Sequence, residues 1–373
     1  MRNLLLLLSF GLYFASIAQE IEVQKREAFF LPLFWNVDLE SKEEVERVLS
    51  GERNPGSMGS AAFNYLYSGY LTNNDSQKDI GISMLEAIDN YPLRKEDGSS
   101  IRYFFMDDFR DLNAGEWVSS KANSSIAAAF LLAFEITGDL NHKKKAIKTM
   151  NCVLEPSYEN GCMILLENDV SWYLEFADVN RDKNNAYYSL NGFMYSLLVL
   201  KYFSYVLNDA KYEKAFRLGM RGLVRKGADH YFTDNSWTKD VLRAKTRATP
   251  RHAAYTIVLM NSLKLYDKNR FIEKEVQSRK EVFKKGYPAI IDEEGNLFFS
   301  LLGGPDLFWQ DLFVLQIELY SGGEIVETHL LNSLDTTARE DKHMMFLSRH
   351  KNIDSLVFNV KSNERLFEIC TIE

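Results

Sequence analysis

Phe193-Met194-Tyr195-Ser196-Leu197-Leu198-Val199-Leu200-Lys201-Tyr202-Phe203 is apolar on almost every side. Asn208-Asp209-Ala210-Lys211-Tyr212 follows it, and beyond that point the apolar positions narrow to one helical face, Ala215, Leu218, Gly219, Gly222 and Leu223. A helix that is apolar all round is buried, and a one-faced helix covers it. An Asp or a polar neighbour at the junction is suited to accept from the first N–H groups of the second helix. The same figure recurs. Residues 126–134 form another all-round apolar run, and Asn74-Asp75-Ser76-Gln77-Lys78, Gly138-Asp139-Leu140-Asn141-His142 and Tyr266-Asp267-Lys268-Asn269-Arg270 each separate an apolar segment from a more charged one. The four aspartates lie 64, 70 and 58 residues apart, so the unit is a long helical hairpin with a variable loop at its far end. Inner apolar helices inside outer amphipathic ones make a mainly α fold, an incomplete (α/α) toroid of about four helical hairpins over residues 57–285. A solenoid would ask for a more regular period and fewer aromatics on the inner helices.

The pattern changes after Gly286. Residues 297–299, 314–320, 325–329, 343–347, 355–360 and 366–369 are short runs of branched and aromatic residues, broken by Gly322-Gly323 and Ser362-Asn363. They predict a small β-rich region over residues 286–373 that packs on the rim of the toroid. At the other end, Arg2, the apolar run from Leu4 to Phe14 and Ser16-Ile17-Ala18 predict a secretory signal peptide over residues 1–18. The run is too short to cross about 30 Å of hydrocarbon, so no membrane span is expected. The helical domain is assigned to residues 27–285 of an exported protein, periplasmic or extracellular.

The chain of 373 residues carries 44 basic and 52 acidic residues, a net charge of −8. That balance disfavours nucleic acid and anionic membranes as partners. The six histidines, His142, His230, His252, His329, His343 and His350, show no metal-ligand spacing, and there is no phosphate loop or dinucleotide fingerprint. No cofactor or metal is expected. Oligomeric state is not legible. Cys152 and Cys162 are close enough in sequence to close a short loop in an oxidising compartment, with buried thiols as the other outcome.

The residues that suggest chemistry lie between the second and third hairpins. Ser171-Trp172-Tyr173-Leu174-Glu175 is followed, fifteen residues past the glutamate, by Leu190-Asn191-Gly192-Phe193-Met194-Tyr195-Ser196. Together they resemble the C-terminal domain of the D-glucuronyl C5-epimerases, which pairs Trp-Tyr-Glu-Glu-Tyr with Asn-Gly-Phe-Met-Tyr-Ser. Upstream, Trp117-Val118-Ser119-Ser120-Lys121-Ala122-Asn123-Ser124 is similar to the family's Trp-x-Ser-x-Met-Ala-Gln-Gly. Downstream, residues 231–243 and Arg251-His252-Ala253-Ala254-Tyr255 stand where the family has Tyr-Asp-Leu-Arg-His and Tyr-His-x-x-His. The resemblance covers residues 117–263. It implies inversion at C5 of uronate residues in a polysaccharide, in a cleft at one end of the inner helices. In that family a β-rich part precedes the helical domain, so a trailing one is a departure.

Inversion at C5 needs one group to take a weakly acidic proton and another to return it on the opposite face, while the uronate carboxylate gains enolate character and is stabilised. By resemblance, Glu175, Tyr173 and Tyr195 are candidates for the proton transfers. Phe176, Lys239 and Arg251 replace family tyrosines, and Lys239 is a candidate in their stead. Trp117, Asn123, Trp172 and Asn191 would contact sugar, while Arg243, Arg251 and His252 would hold the carboxylate. The residues also allow packing roles: Trp172 as the anchor of a β-hairpin folded on the toroid, Tyr195 bonded internally, and the basic run from 239 to 251 as a solvated loop. A lyase or hydrolase on the same scaffold, using Asp107, Asp108, Glu175 or Asp178, or a glycan-binding protein without catalysis, are the other functional readings.

Overall fold

The computed structural model describes residues 42–51, 54–91, 102–105, 115–159, 161–177, 186, 188–230, 250–267, 269–286, 290–291, 296–299, 314–332, 344–347 and 355–360. The leader expected at 1–18, Asp107, Asp108, Asp178, Lys239, Arg243 and the strand expected at 366–369 lie outside them. Among the described residues, a short helix α1 (Lys42–Leu49) is followed by eight helices in four antiparallel pairs: α2 (Pro55–Leu71) with α3 (Asp75–Asp89), α4 (Ser120–Thr137) with α5 (Leu140–Leu154), α6 (Leu190–Leu207) with α7 (Ala210–Lys226), and α8 (Pro250–Tyr266) with α9 (Arg270–Gly286). Helices α2, α4, α6 and α8 pack side by side in that order. They form the inner layer of the incomplete α/α toroid that the periodicity predicts.

Hairpin turns follow one local rule. Asn73, Gly138 and Asn208 take left-handed backbone, which Gly and Asn tolerate best, and the next residue is an extended N-cap. Asn74 accepts from the Gln77 N–H at 3.2 Å, Asp139 from Asn141 at 2.8 Å and Asp209 from Lys211 at 2.9 Å. In the fourth turn Asn269 is the acceptor, from Phe271 at 2.9 Å, rather than Asp267. Caps of this kind are worth roughly 1 kcal/mol each.

The inner helices hold the core. Residues 122–133 of α4 are buried throughout, and in α6 every residue from Leu190 to Leu200 is buried. Helix α6 is long and apolar enough to span a membrane by composition, which the sequence reading did not anticipate, but 72% of it is buried inside the protein. Among the described residues no other helix passes that test. Its apolarity is that of a helix surrounded on all sides by its own chain.

Between the second and third pairs, β3 (Met163–Glu167) and β4 (Val170–Tyr173) form an antiparallel hairpin, with Ile164 opposite Trp172. Strand β4 lies along outer helix α7, where Gly219 and Gly222 make room: a Cβ on Gly222 would stand 2.1 Å from the Ser171 carbonyl oxygen. Upstream, β1 (Arg102–Phe105) pairs with β2 (Gly115–Val118), placing Tyr103 opposite Trp117 in register. Cys152 and Cys162 are both buried thiols, and the Cys162 N–H donates to the Cys152 carbonyl at 3.2 Å. Of the two outcomes open in the sequence, the structure takes the second.

The C-terminal strands fall where branched and aromatic residues predict them. Strands β5 (Ile290–Ile291), β6 (Asn296–Phe299) and β9 (Met344–Leu347) make one sheet; β7 (Val314–Ser321), β8 (Glu324–Asn332) and β10 (Ser355–Val360) make another, with β7 central. The β7–β8 turn is Gly322-Gly323, both at positive φ, as a two-residue hairpin loop requires. Leu319 of β7 is fully buried within the same apolar cluster as the helices, and Val326 packs against it.

Candidate functional site

Glu175 sits where two inner helices begin. The chain leaving β4 is pinned to the start of α4: the Ser120 N–H donates to the Leu174 carbonyl at 2.9 Å, the Ser120 hydroxyl donates to the Tyr173 carbonyl at 3.3 Å, and Val118 and Ala177 exchange backbone bonds at 3.1 and 2.8 Å. This fixes residues 174–177 across the N-terminus of α4. The Glu175 side chain then reaches the N-terminus of α6. Ser189, the N-cap of α6, does not cap its helix through its side chain; its hydroxyl donates to Glu175 Oε2. Gly192 in the first turn leaves the space the carboxylate fills, since a Cβ there would lie 2.4 Å from Oε2 and 2.7 Å from the Glu175 Cβ. On the other side, Lys121 Nζ of α4 stands 3.7 Å from Oε1.

The carboxylate therefore lies at the positive ends of two helix dipoles, with a hydroxyl donor and an ammonium beside it. Its side chain is 16% exposed and that of Lys121 27%, so solvent reaches both. A carboxylate held in one place and still accessible is equipped to accept a proton from a bound molecule.

The third inner helix joins through Asn191, 7% exposed, which accepts from the Thr256 hydroxyl of α8. Arg251 and His252 lie in the first turn of α8, and the His252 backbone position is one turn before Thr256. The N-terminal ends of α4, α6 and α8 thus meet at one end of the toroid, and Lys239 and Arg243, which the sequence nominates for the site, lie outside the described residues. Helix α6 begins at Leu190.

Other residues quoted for chemistry are interior. Trp172 is fully buried, with its ring stacked on Phe193 at 3.8 Å between centroids and on His230 at 5.3 Å. Tyr173 is fully buried and donates to the Ala215 carbonyl of α7 at 2.8 Å. These are the packing roles of a hairpin anchor, because β4 is pressed between α7 and the start of α6. Neither ring has a surface left for sugar. Tyr195 is also buried, its hydroxyl near Ser60; burial pushes both the Tyr173 and Tyr195 phenols far above their ordinary range, with Ser171 and Ser60 drawing them back only partly. Asn123 is buried and donates from Nδ2 to the Ser119 carbonyl of its own helix at 3.0 Å. Trp117 is placed by its backbone in β2.

Sequence reading missed Lys121, Ser189 and Thr256. Lys121 had a signal, since it stands where the resembled family carries Met. Ser189 directly precedes the strongest motif. Thr256 had none.

A cavity of about 360 Å³ lies elsewhere, on the outer side, bounded by Val170, Met220, Arg221, Arg225, Asp267 and Asn269. Its arginines are already engaged, Arg221 with Asp169 at 3.2 Å and Arg225 with Glu167 at 3.1 Å, so it is not the site that the inner helices build. Among the described residues no group of three or more His, Cys, Asp or Glu side chains is placed to hold a metal ion.

Comparison with known proteins follows this geometry. Residues 98–281 match the family model described as D-glucuronyl C5-epimerase C-terminus, which spans all four elements at the Glu175 site, α4, the β3–β4 hairpin, α6 and α8. No curated protein matches the chain. Solved structures similar to it include the unsaturated glucuronyl hydrolase of Bacillus sp. GL1, at 13% identity and TM-score 0.45, covering 68% of each chain. A D-mannose isomerase is similar at 13% identity and TM-score 0.48, over 71% of this chain and 75% of that one. Glu175 and the Asn191-Gly192 turn both lie inside residues 98–281, the segment that matches the D-glucuronyl C5-epimerase C-terminus, a carbohydrate-processing family.

Proposed function

We propose that this protein acts on C5 of uronate residues in a polysaccharide by abstracting and returning a proton, with Glu175 as the abstracting base. The observation that carries this reading is the accessible Glu175 carboxylate held at the N-termini of α4 and α6. In the forward step the C5–H bond breaks, the proton passes to a Glu175 carboxylate oxygen, and the electron pair moves into the substrate carboxylate as an enolate. A second acid then gives a proton to C5 from the opposite face. Because Tyr173 and Tyr195 are interior, that acid is assigned to the segment entering α8, with Lys239 as the candidate and Arg243, Arg251 and His252 as partners of the substrate carboxylate. The leader at residues 1–18 supports an exported protein meeting its polysaccharide outside the cytoplasm.

Incubation of the exported fraction with heparan-type and other uronate polysaccharides in deuterium oxide tests this directly. Deuterium is expected at C5 by NMR, with incorporation reduced at least 100-fold, on the order of a lost general base, in Glu175→Gln. Exchange that persists undiminished in the mutant removes Glu175 from the chemistry; protein found only in the cytoplasm removes the export reading. Appearance of an ultraviolet-absorbing unsaturated uronate would mean that the carbanion eliminates, as in a lyase. A second reading has its own support: the motif's Tyr173 and Tyr195 are interior, as in a glycan-binding protein that keeps the cleft and has lost the proton chemistry. Binding without exchange across the panel would establish it.

A further inference from the structure

We infer that Lys121 is the residue that recognises the carboxylate of the substrate, exchanging its partner from Glu175 to the incoming uronate. The inference rests on the proposed reading and gives it a specificity element that the family motif does not contain, since Lys121 replaces a Met there. Its geometry is that of a loose pair. Lys121 Nζ lies 3.7 Å from Glu175 Oε1, whereas charge-assisted bonds between ammonium and carboxylate close to about 2.7–2.9 Å. The other carboxylate oxygen is already held by Ser189, so Glu175 keeps its place when the ammonium turns away.

Lys121 is on a fixed base. It is the second residue of α4, whose N-cap Ser119 accepts from the Ala122 N–H at 3.2 Å, and the neighbouring Ser120 is bonded to the strand that carries Glu175. Its side chain is more exposed than that of Glu175, 27% against 16%. The exchange has a chemical consequence. An ammonium on the substrate carboxylate stabilises the enolate as it forms. Ligands that lack the acid would leave the Lys121–Glu175 pair closed.

Binding constants for a heparan-type uronate oligosaccharide and its carboxyl-reduced counterpart test this, measured by calorimetry on the wild type, Lys121→Met, Lys121→Arg and Glu175→Gln. The wild type is expected to prefer the acid by about tenfold or more, the scale of one hydrogen bond to a charged group. Lys121→Met should lose that preference while binding the reduced ligand as before; Lys121→Arg should keep most of it; Glu175→Gln should bind the acid at least as tightly as the wild type, having lost the competing carboxylate. A role confined to structure would weaken both ligands together in Lys121→Met. Retention of the full preference by Lys121→Met overturns the inference alone. A wild type that binds neither ligand overturns the functional reading, and this inference with it.

Discussion

Gly192 is the position at which one added methyl group most directly disturbs the site. A Cβ there would press on the Glu175 carboxylate and on the Glu175 Cβ itself, so rotation of the side chain alone does not relieve it. Gly192→Ala is expected to cut C5 exchange by about 100-fold, the scale of a catalytic group misplaced by about 1 Å. It should lower stability by roughly 1–3 kcal/mol, as overpacking does. Kinetics of deuterium incorporation and a thermal melt measure the two effects, and an Ala variant with wild-type exchange would show that the carboxylate does not need its present place. At this scale the strongest motif was legible, because Asn191 and Gly192 stand in sequence as the family has them. The roles of Trp172 and Tyr173 were not, because an aromatic pair beside a carboxylate looks the same in sequence whether it meets a sugar or three neighbouring rings.

At the scale of elements, strand β4 depends on outer helix α7 offering it a smooth face. Gly219 and Gly222 face Tyr173 and Ser171, and the contact at Gly222 is with backbone, which cannot swing aside. Gly222→Ala should therefore cost about 1–3 kcal/mol in urea denaturation. Arg225→Ala, which removes the exposed pair with Glu167 at the end of the same hairpin, should cost no more than about 1 kcal/mol. An inverted order of the two losses would contradict the packing described for β4. The hairpin turns of the toroid were readable at this scale because their chemistry is local: a left-handed Asn or Gly followed by an Asn or Asp cap is written in adjacent residues. The β3–β4 hairpin was readable only as one of two options, since what it packs against is α7, about 40 residues further along the chain.

For the whole molecule, three buried phenols set an alkaline limit. Burial raises Tyr173, Tyr195 and Tyr212 well above the ordinary tyrosine value of 10.0, with Asp209 adding to the shift at Tyr212. The unfolded chain loses these protons from about pH 10 while the folded chain retains them, so their contribution is fully present below pH 10 and declines above it. Stability should fall by up to about 1.4 kcal/mol per pH unit for each phenol above pH 10. Melting temperatures from pH 9 to 12, with phenolate absorbance followed in parallel, provide the check; Tyr195→Phe should flatten the slope by about one third. Early titration of all tyrosines in the folded protein would contradict the buried placement.

Periodicity, caps and turn residues act within a few positions of one another, so the chain alone carried the four hairpins, the inner and outer helices, the trailing strands and the epimerase-like motif. The division of labour inside that motif was decided by packing between segments far apart in sequence. Glu175 stays accessible because Ser189, Gly192 and Lys121 come to it from two helices, while Trp172, Tyr173 and Tyr195 are enclosed by α6, α7 and their neighbours. Burial belongs to the assembled layers, and so does the choice of which motif side chains are left to meet a substrate.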